Sequence, residues 1–493
     1  MKYILTLDQG TTSSRALLID QAGQVKGMAQ KEFQQIFPNP GWVEHDPSEI
    51  WSSQLSVIKE VLKTSKVKAS SLASIGITNQ RETTIAWNAE TGEPLCNAIV
   101  WQDKRTSDYC DHLKKNGWSS RIQAKTGLII DSYFSATKMQ WILENVEEAK
   151  KLLEEKKLRM GTVDTWLMFK LSKGEFHKTD HSNASRSMLF NIHSLNWDEE
   201  LLELFEIPKH CLPEVHPSIG DFGKVEINGT LIPIGGVAGD QQAALFGQMC
   251  FHSGDVKNTY GTGCFMLMNT GTKAHISTVG MLSTIAWSEG STVQYALEGS
   301  VFIAGAAIQW LRDALRLLDH ADDSQYFAER AEGNEVVVVP AFVGLGAPHW
   351  DMFARGAIFG LTRETGKAEI IKGTLQSLAF QTKDVLEAMQ NDTGLEIKLL
   401  RADGGASANN WLMQFQADVL NIPIERPLNI ESTAMGVSYM AGVSAGFWTQ
   451  KDLLEMNRTD HCFEPEMKSE LRNKLYAQWH KALDKTKDWV DHE

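Results

Sequence analysis

The chain alternates between two hydrophobic periods. Short apolar or β-branched runs at Tyr3–Leu7, Arg15–Ile19, Ala73–Thr78, Thr84–Trp87 and Glu335–Val339 predict strands. Between them, apolar residues return every three or four positions over Pro47–Lys63, Ala136–Lys156, Ser300–Leu318, Lys367–Met389, Asn409–Leu420 and Ser432–Ala445, which predicts helices. The charged tail from about Glu464 alternates signs as a solvated terminal helix would. The mixture predicts an α/β protein. Two segments share one pattern: Ile4–Ile19 reads as strand, Gly-Thr turn, strand, and Asp255–Met268 repeats it half a chain later. This echo marks either two similar halves with a ligand cleft between them or a turn common in any α/β protein.

Length and charge narrow the picture. At 493 residues the chain has room for about two to four domains. Its 42% hydrophobic and 22% charged residues exclude large-scale disorder. A net charge of −14 argues against a nucleic-acid partner. The six Cys, at 96, 110, 211, 250, 264 and 462, form no Cys-x-x-Cys pair, so reduced, packed thiols are expected in place of a zinc ribbon or dithiol centre. The first apolar run meets Asp8 too early for a signal-peptide core, and no apolar stretch approaches the roughly 20 residues of a membrane helix. A cytoplasmic protein without membrane insertion is expected.

The first hairpin turn, Asp8-Gln9-Gly10-Thr11-Thr12-Ser13-Ser14-Arg15, carries the strongest chemical signal. Gly10 lets the backbone turn tightly, and four successive hydroxyl residues with their amides can donate to phosphate oxygens. Arg15 adds a fixed positive charge. Asp8, at the end of a buried strand, is placed to hold a hydrated Mg²⁺, which takes one or two carboxylates beside phosphate oxygens and water. The familiar Gly-x-x-x-x-Gly-Lys-Ser/Thr loop is absent, since Gly366-Lys367 is followed by Ala368, and so is Gly-x-Gly-x-x-Gly.

Other constellations leave two readings open. A second turn, Gly261-Thr262-Gly263, could meet the first across a cleft. Arg401-Ala-Asp-Gly-Gly-Ala-Ser-Ala-Asn-Asn410 suits an adenine or ribose lying on bare backbone, and equally a plain strand-to-helix connection capped by Asn or Ser. Arg81 and Glu82 can serve a small polyhydroxy ligand or close as an exposed ion pair. Asp240, between a Gly-rich strand end and an apolar helix start, can act as an N-cap or as a general base. The 14 His offer no competing catalytic site.

In chain order, several segments resemble the FGGY family of sugar and polyol kinases, within the actin/hexokinase/Hsp70-like ATPase superfamily, along nearly the whole chain. They are Leu7-Asp-Gln-Gly-Thr-Thr-Ser-Ser-Arg15, Ile77-Thr-Asn-Gln-Arg-Glu-Thr-Thr84, Ile99-Val-Trp-Gln102, Asp131-Ser-Tyr-Phe-Ser-Ala-Thr-Lys138 with Trp141, Ala238-Gly-Asp-Gln-Gln-Ala-Ala244, Tyr260-Gly-Thr-Gly-Cys-Phe265 and Asp403-Gly-Gly-Ala-Ser407. The resemblance implies two actin-like (ribonuclease H-like) α/β domains, 1–247 and 248–493, with MgATP and substrate in the cleft between them. It implies phosphorylation of glycerol by ATP to sn-glycerol 3-phosphate, the first step of glycerol catabolism, in a homodimer or homotetramer. By carry-over, Arg81, Glu82, Tyr133, Asp240 and Gln241 would bond the glycerol hydroxyls, with Trp101 and Phe265 against its carbons. Asp240 would be the general base and, with Asp8, would attend the Mg²⁺. Thr11, Thr12, Ser13 and Arg15 would serve the nucleotide phosphates, while Thr262, Gly305, Gln309, Gly405 and Asn409 would complete the nucleotide site.

Two departures stand out against that family. Gly373 occupies a position where the family has Ala or Ser, and should weaken its helix by under about 1 kcal/mol. Phe222–Pro233 lacks the His that some bacterial members phosphorylate, so control at that loop is expected to be missing. Kinases of longer sugars share the family, though Arg81-Glu82 with Trp101 and Tyr133 speaks against them. Actin-like ATPases that move a partner share the superfamily.

Overall fold

The computed structural model describes residues 2–333 and 335–490. Its strands build two main sheets of one design. In the first, six strands lie in the spatial order Lys224–Ile227, Thr230–Gly239, Leu72–Asn79, Tyr3–Gln9, Ser13–Asp20, Val25–Glu32. In the second, seven lie in the order Leu282–Glu289, Thr292–Val301, Cys264–Gly271, Val256–Tyr260, Leu400–Asp403, Ile424–Pro427, Thr459–Phe463. Each sheet is founded on an antiparallel hairpin, turned at Gly10 in one and at Gly261–Gly263 in the other. The hairpin's first strand then pairs in parallel with a later strand, Leu72–Asn79 or Leu400–Asp403, and a second parallel strand follows in both sheets. The half-chain echo is therefore a repeated sheet topology, and the fold is α/β with two sheet-containing domains of the actin-like kind.

Strand alternation explains how the first sheet is covered on both faces. Leu5, Leu7, Ala16 and Leu18 face a layer containing Val57, Ile58 and Val61 of the helix Pro47–Thr64. Ile4, Leu17 and Ile19 point the other way, onto Ala434, Val437 and Met440 of the helix Ser432–Ser444. That second helix lies in sequence between two strands of the other sheet, Ile424–Pro427 and Thr459–Phe463, so the two halves share a packed layer. It also crosses the helix Asp240–Gly247 at backbone contact: a Cβ on Gly436 would lie 1.7 Å from the Ala243 carbonyl oxygen, and one on Gly247 would lie 2.0 Å from that of Ser432. Only glycine fits at such a crossing. The helix that begins at Asp240 is thereby fixed in place.

Several elements differ from the periodicity. The helix expected over Ala136–Lys156 breaks into Ser135–Asn145 and Glu147–Glu154. Val146, β-branched and extended, ends the first, and Glu147 with Glu148 opens the second favourably for its dipole. Of Ser300–Leu318 only Gly305–Asp313 is helical, because Thr292–Val301 is captured as a strand by neighbours on both sides. The tail first adds an edge strand, Thr459–Phe463, and its helix Ser469–Thr486 buries Leu475, Trp479 and Leu483. Tyr476 OH and Trp479 Nε1 donate to Asp384 on the long helix Lys367–Thr393, at 2.6 and 2.8 Å. That long helix keeps Gly373 because a Cβ there would lie 2.8 Å from the Val336 carbonyl oxygen. All six Cys are unpaired; Cys110, Cys211, Cys250 and Cys264 are buried, whereas Cys462 is exposed. Among the described residues no helix is long and apolar enough to cross a membrane.

Candidate active site

Arg81 and Glu82 leave the end of the strand Leu72–Asn79, and Asp240 opens a helix at the end of the adjacent parallel strand Thr230–Gly239. Strand pairing thus brings together residues far apart in sequence. Arg81 and Glu82 are not an exposed ion pair, being only 3% and 1% accessible. Arg81 Nε lies 3.2 Å from Asp240 Oδ1, and its two terminal nitrogens fork onto both carboxylate oxygens of Glu298. The same nitrogens reach Gln242 Oε1 at 3.2 Å and Tyr133 OH at 3.3 Å.

A second buried arginine closes the set. Arg186 Nε donates to Glu82 Oε1 at 2.7 Å and its Nη2 to Glu298 Oε1 at 3.0 Å. Glu298 comes from the strand Thr292–Val301 of the second sheet, so both sheets contribute to one ring of two guanidinium groups and two carboxylates. Burial alone would push the Glu298 carboxyl up, but Arg186 and Arg81 hold it down to about 2. For Glu82, burial outweighs Arg186 and Arg81 and the carboxyl is raised. Burial, helped by Glu82, also raises the Tyr133 phenol, which stays a protonated donor. The Glu82 backbone sits at φ +60°, a left-handed conformation rare for a side chain, and its carbonyl accepts from Ser135 Oγ at 3.0 Å and Thr84 Oγ1 at 3.1 Å. Lys138, buried beneath this loop, donates to the Tyr133 carbonyl at 2.5 Å, and burial lowers its ammonium to about 7.

Asp240 is the first residue of its helix, with Gly239 in the cap position. Its Oδ1 accepts from the Gln241 amide at 2.7 Å and faces Arg81, which leaves Oδ2 without a partner among the described residues. About 31% of the side chain is accessible to solvent. Burial raises this carboxyl above its ordinary 3.8, with Arg81, the Gln241 amide and Lys257 pulling the other way. Lys257, from the strand Val256–Tyr260, donates to Gln241 Oε1 at 2.5 Å, to Thr259 Oγ1 at 2.9 Å and to the Phe265 carbonyl at 3.2 Å. Its burial lowers the ammonium to about 8. Trp101 packs edge-on to Tyr133 with centroids 5.6 Å apart, and its indole N–H donates to Thr11 Oγ1 at 3.1 Å. One side chain therefore joins the Arg81 cluster to the first turn.

The Gly-rich turns contribute mostly backbone to the candidate site. The first turn closes with Gly10 N donating to the Ser13 carbonyl at 3.0 Å; Thr11, Thr12 and Ser13 form its tip, and Ser13 Oγ accepts from Gln30 at 3.2 Å. Arg15 is engaged by two carboxylates, Asp8 and Glu431. Burial raises the Asp8 carboxyl against the pull of Arg15. In the second turn, Gly305 N donates to the Gly261 carbonyl at 3.0 Å, and the Ala304 and Ala306 amides donate to that of Thr262. A Cβ on Gly305 would lie 2.5 Å from the Gly261 carbonyl oxygen, and Gly404, at φ +84°, sits equally close to that of Tyr260. These contacts gather Thr262, the start of the helix Gly305–Asp313 and the Asp403–Gly405 turn into one surface, on which Gln309 and Gly405 are exposed. Asn409 caps the helix Asn410–Leu420, its Oδ1 accepting from Leu412 N at 2.9 Å while Nδ2 reaches Ser324 Oγ at 3.2 Å.

Among the described residues no three His, Cys, Asp or Glu side chains gather as a metal cage. His177 and His181, four apart, turn to the Met160 carbonyl and to Ser288. A Mg²⁺ completed by phosphate and water needs only one or two carboxylates. Asp8 Oδ1 and Asp240 Oδ2 have no partner among the described residues, and Asp403 keeps a buried, unpartnered Oδ1. One or two of these carboxylates, not all three together, fit such an ion.

Sequence reasoning missed Glu298, Arg186 and Lys257. Glu298 in Tyr295-Ala-Leu-Glu-Gly299 and Arg186 in Ser182-Asn-Ala-Ser-Arg-Ser187 are lone charges among apolar or small neighbours, while Lys257 in Asp255-Val-Lys-Asn258 has Asp255 two residues away. A buried charge demands a buried partner, and that rule applied to strand residues is the signal that could have found Glu298 and Lys257; Arg186 lies in a turn after the short helix His181–Ala184.

Comparison with known proteins places this geometry. The N-terminal domain of the FGGY family of carbohydrate kinases matches residues 3–247, and its C-terminal domain matches residues 256–445. Glycerol kinases from Caldanaerobacter subterraneus subsp. tengcongensis and from Thermoanaerobacter sp. are each 56% identical over 99% of both chains. The crystal structure of Plasmodium falciparum glycerol kinase with ADP, 36% identical, superposes with a TM-score of 0.94 over 100% of this chain and 99% of that one. A xylulose kinase from Lactobacillus acidophilus, at 23% identity and a TM-score of 0.87 over 98% of both chains, shares the fold. The chain belongs to the FGGY family of carbohydrate kinases.

Proposed function

We propose that the protein transfers the γ-phosphoryl group of ATP to a terminal hydroxyl of glycerol, giving sn-glycerol 3-phosphate and ADP. One observation carries the reading: beside arginines already held by carboxylates, Asp240 keeps one carboxylate oxygen without a partner among the described residues, on a side chain that is about 31% accessible. Relatives named glycerol kinase at 56% identity over 99% of the chain support the choice of substrate.

Phosphoryl transfer asks a protein mainly for alignment and for neutralisation of charge. Arg81, Glu82, Tyr133 and Gln241 hold the glycerol hydroxyls, with Trp101 and Phe265 against its carbons. As the attacking oxygen bonds to phosphorus and the bond to ADP breaks, Asp240 Oδ2 accepts the hydroxyl proton. A raised pKa makes it a better base than a free carboxylate, and Arg81 and the Gln241 amide fix its orientation. Thr11, Thr12, Ser13 and Thr262 offer hydroxyls and amides to the phosphates, with Arg15 behind them. Gly305, Gln309, Gly405 and Asn409 line the nucleoside side. Asp8 and Asp240 would hold Mg²⁺, which neutralises phosphate charge when bound. The functional division is 1–247, bearing the glycerol site and the first phosphate turn, and 248–493, bearing the second turn and the adenosine surface. A cytoplasmic homodimer or homotetramer is the arrangement the family resemblance suggests.

The test is a substrate panel of glycerol, xylulose and gluconate with ATP and Mg²⁺, following ADP. The expected kcat/KM for glycerol exceeds the others by about 100-fold or more, because longer substrates leave buried donors and acceptors mismatched. A preference for the pentulose or the aldonate, or ADP release indifferent to glycerol, would overturn the reading.

A further inference from the structure

Gln241 is the one proposed glycerol ligand whose side chain has two chemically opposite ends, an oxygen that accepts and a nitrogen that donates. Which end faces the substrate decides what that side chain can recognise. Its oxygen is taken: Lys257 Nζ donates to Oε1 at 2.5 Å. Lys257 has no freedom to let go, because it is fully buried and its two other donors are used by Thr259 Oγ1 and the Phe265 carbonyl. Strand pairing on both sides, opposite Leu267 and beside Arg401, fixes the backbone from which it reaches. Gln241 itself is half-buried, and its Nε2 meets no acceptor among the described residues.

We propose that Lys257 is a positioning residue that locks Gln241 as a hydrogen-bond donor beside Asp240. One substrate hydroxyl is then gripped by an acceptor at Asp240 Oδ2 and a donor at Gln241 Nε2, a pairing that reads a hydroxyl by its ability both to give and to accept. An analogue lacking that hydroxyl leaves both groups unpaired. Lys257 belongs to the second sheet and Gln241 to the helix that ends the first, so the discrimination also depends on how the two halves meet. The inference rests on the glycerol reading above.

A double-mutant cycle tests it. Wild-type protein that releases no ADP in response to glycerol defeats the underlying reading; the cycle then concerns only protein that passes that control. Lys257→Met is expected to lower kcat/KM for glycerol by about 10- to 100-fold, with KM for ATP changed by less than about twofold. Gln241→Ala should do the same, and Lys257→Met added to Gln241→Ala should change kcat/KM by less than about twofold. Additive losses, or a rise in KM for ATP in place of glycerol, would overturn the proposal. If Lys257→Met melts too early to assay, Gln241→Glu answers the same question, since it keeps a partner for Lys257 and has no N–H to give. It should lose as much as Gln241→Ala, and kcat/KM at the wild-type level would overturn the proposal.

Discussion

The two groups of residues in the candidate site are built on opposite principles. Around Arg81 the site is a network of mostly buried charged side chains, Arg81, Arg186 and Lys257 against Glu82, Glu298 and Asp240, drawn from both halves of the chain. Around Gly261, Gly305 and Gly404 it is made of backbone, brought so close that no Cβ fits at Gly305 or Gly404, with exposed residues at the tips. The contrast suits the two proposed ligands. A small uncharged polyol cannot organise a protein, so its template must be rigid beforehand and its charges must cancel. A nucleotide brings its own charge and needs amides and room. In a chain of net charge −14 the attraction for ATP has to be local, carried by the turns, by Mg²⁺ and by whatever Arg15 offers beyond its two carboxylates.

Breaking the side-chain half should have the largest effect. Glu298→Gln leaves Arg81 and Arg186 short of one negative charge inside the protein, a loss of about 3–5 kcal/mol in stability that urea or thermal melts would register. Because the folded carboxyl is held to about 2 against its ordinary 4.5, its stabilisation is fully present above pH 4.5 and is lost as the pH falls towards 2. The variant should therefore show a flatter dependence on pH in that window. A loss under about 1 kcal/mol would mean that the ring is not the organising element.

The backbone half should respond more narrowly. Gly305→Ala forces a methyl to within 2.5 Å of the Gly261 carbonyl, which must displace the second turn. The expected result is a rise of about tenfold in KM for ATP, with KM for glycerol steady. If glycerol binding weakened instead, the two sides would not be separable. The smallest effect is expected at Asn409, whose side chain caps a helix. Asn409→Ala should cost about 1 kcal/mol in stability, with kcat/KM for glycerol little changed.

The two halves were also unequally legible in the sequence. The Gly-Thr turns, the strand ends before Arg81 and Asp240 and the long helix Lys367–Thr393 followed from local residue types, because turns and strand periods are local physics, whereas the parallel pairing did not. Arg81, Glu82 and Asp240 could be nominated, yet the competing reading of an exposed pair fell only when their burial was seen. Glu298, Arg186 and Lys257 were missed because their meaning lies in partners from another sheet, which no window of sequence contains. Gly373 illustrates the same limit: helix propensity reads it as a defect, whereas the approach of Val336 makes it a fit. Asn409, expected on the nucleotide surface, serves in the structure as a helix cap.

The account stands most directly on Asp240 as the acceptor of the hydroxyl proton. Glycerol-dependent ADP release by Asp240→Asn, compared with wild type while ADP affinity is measured on the same samples, tests it. An asparagine keeps the shape and can still accept from the Gln241 amide, but it cannot take up the proton. The prediction is a kcat lower by about 10²- to 10⁴-fold with ADP affinity essentially unchanged. Turnover close to the wild-type rate would contradict it.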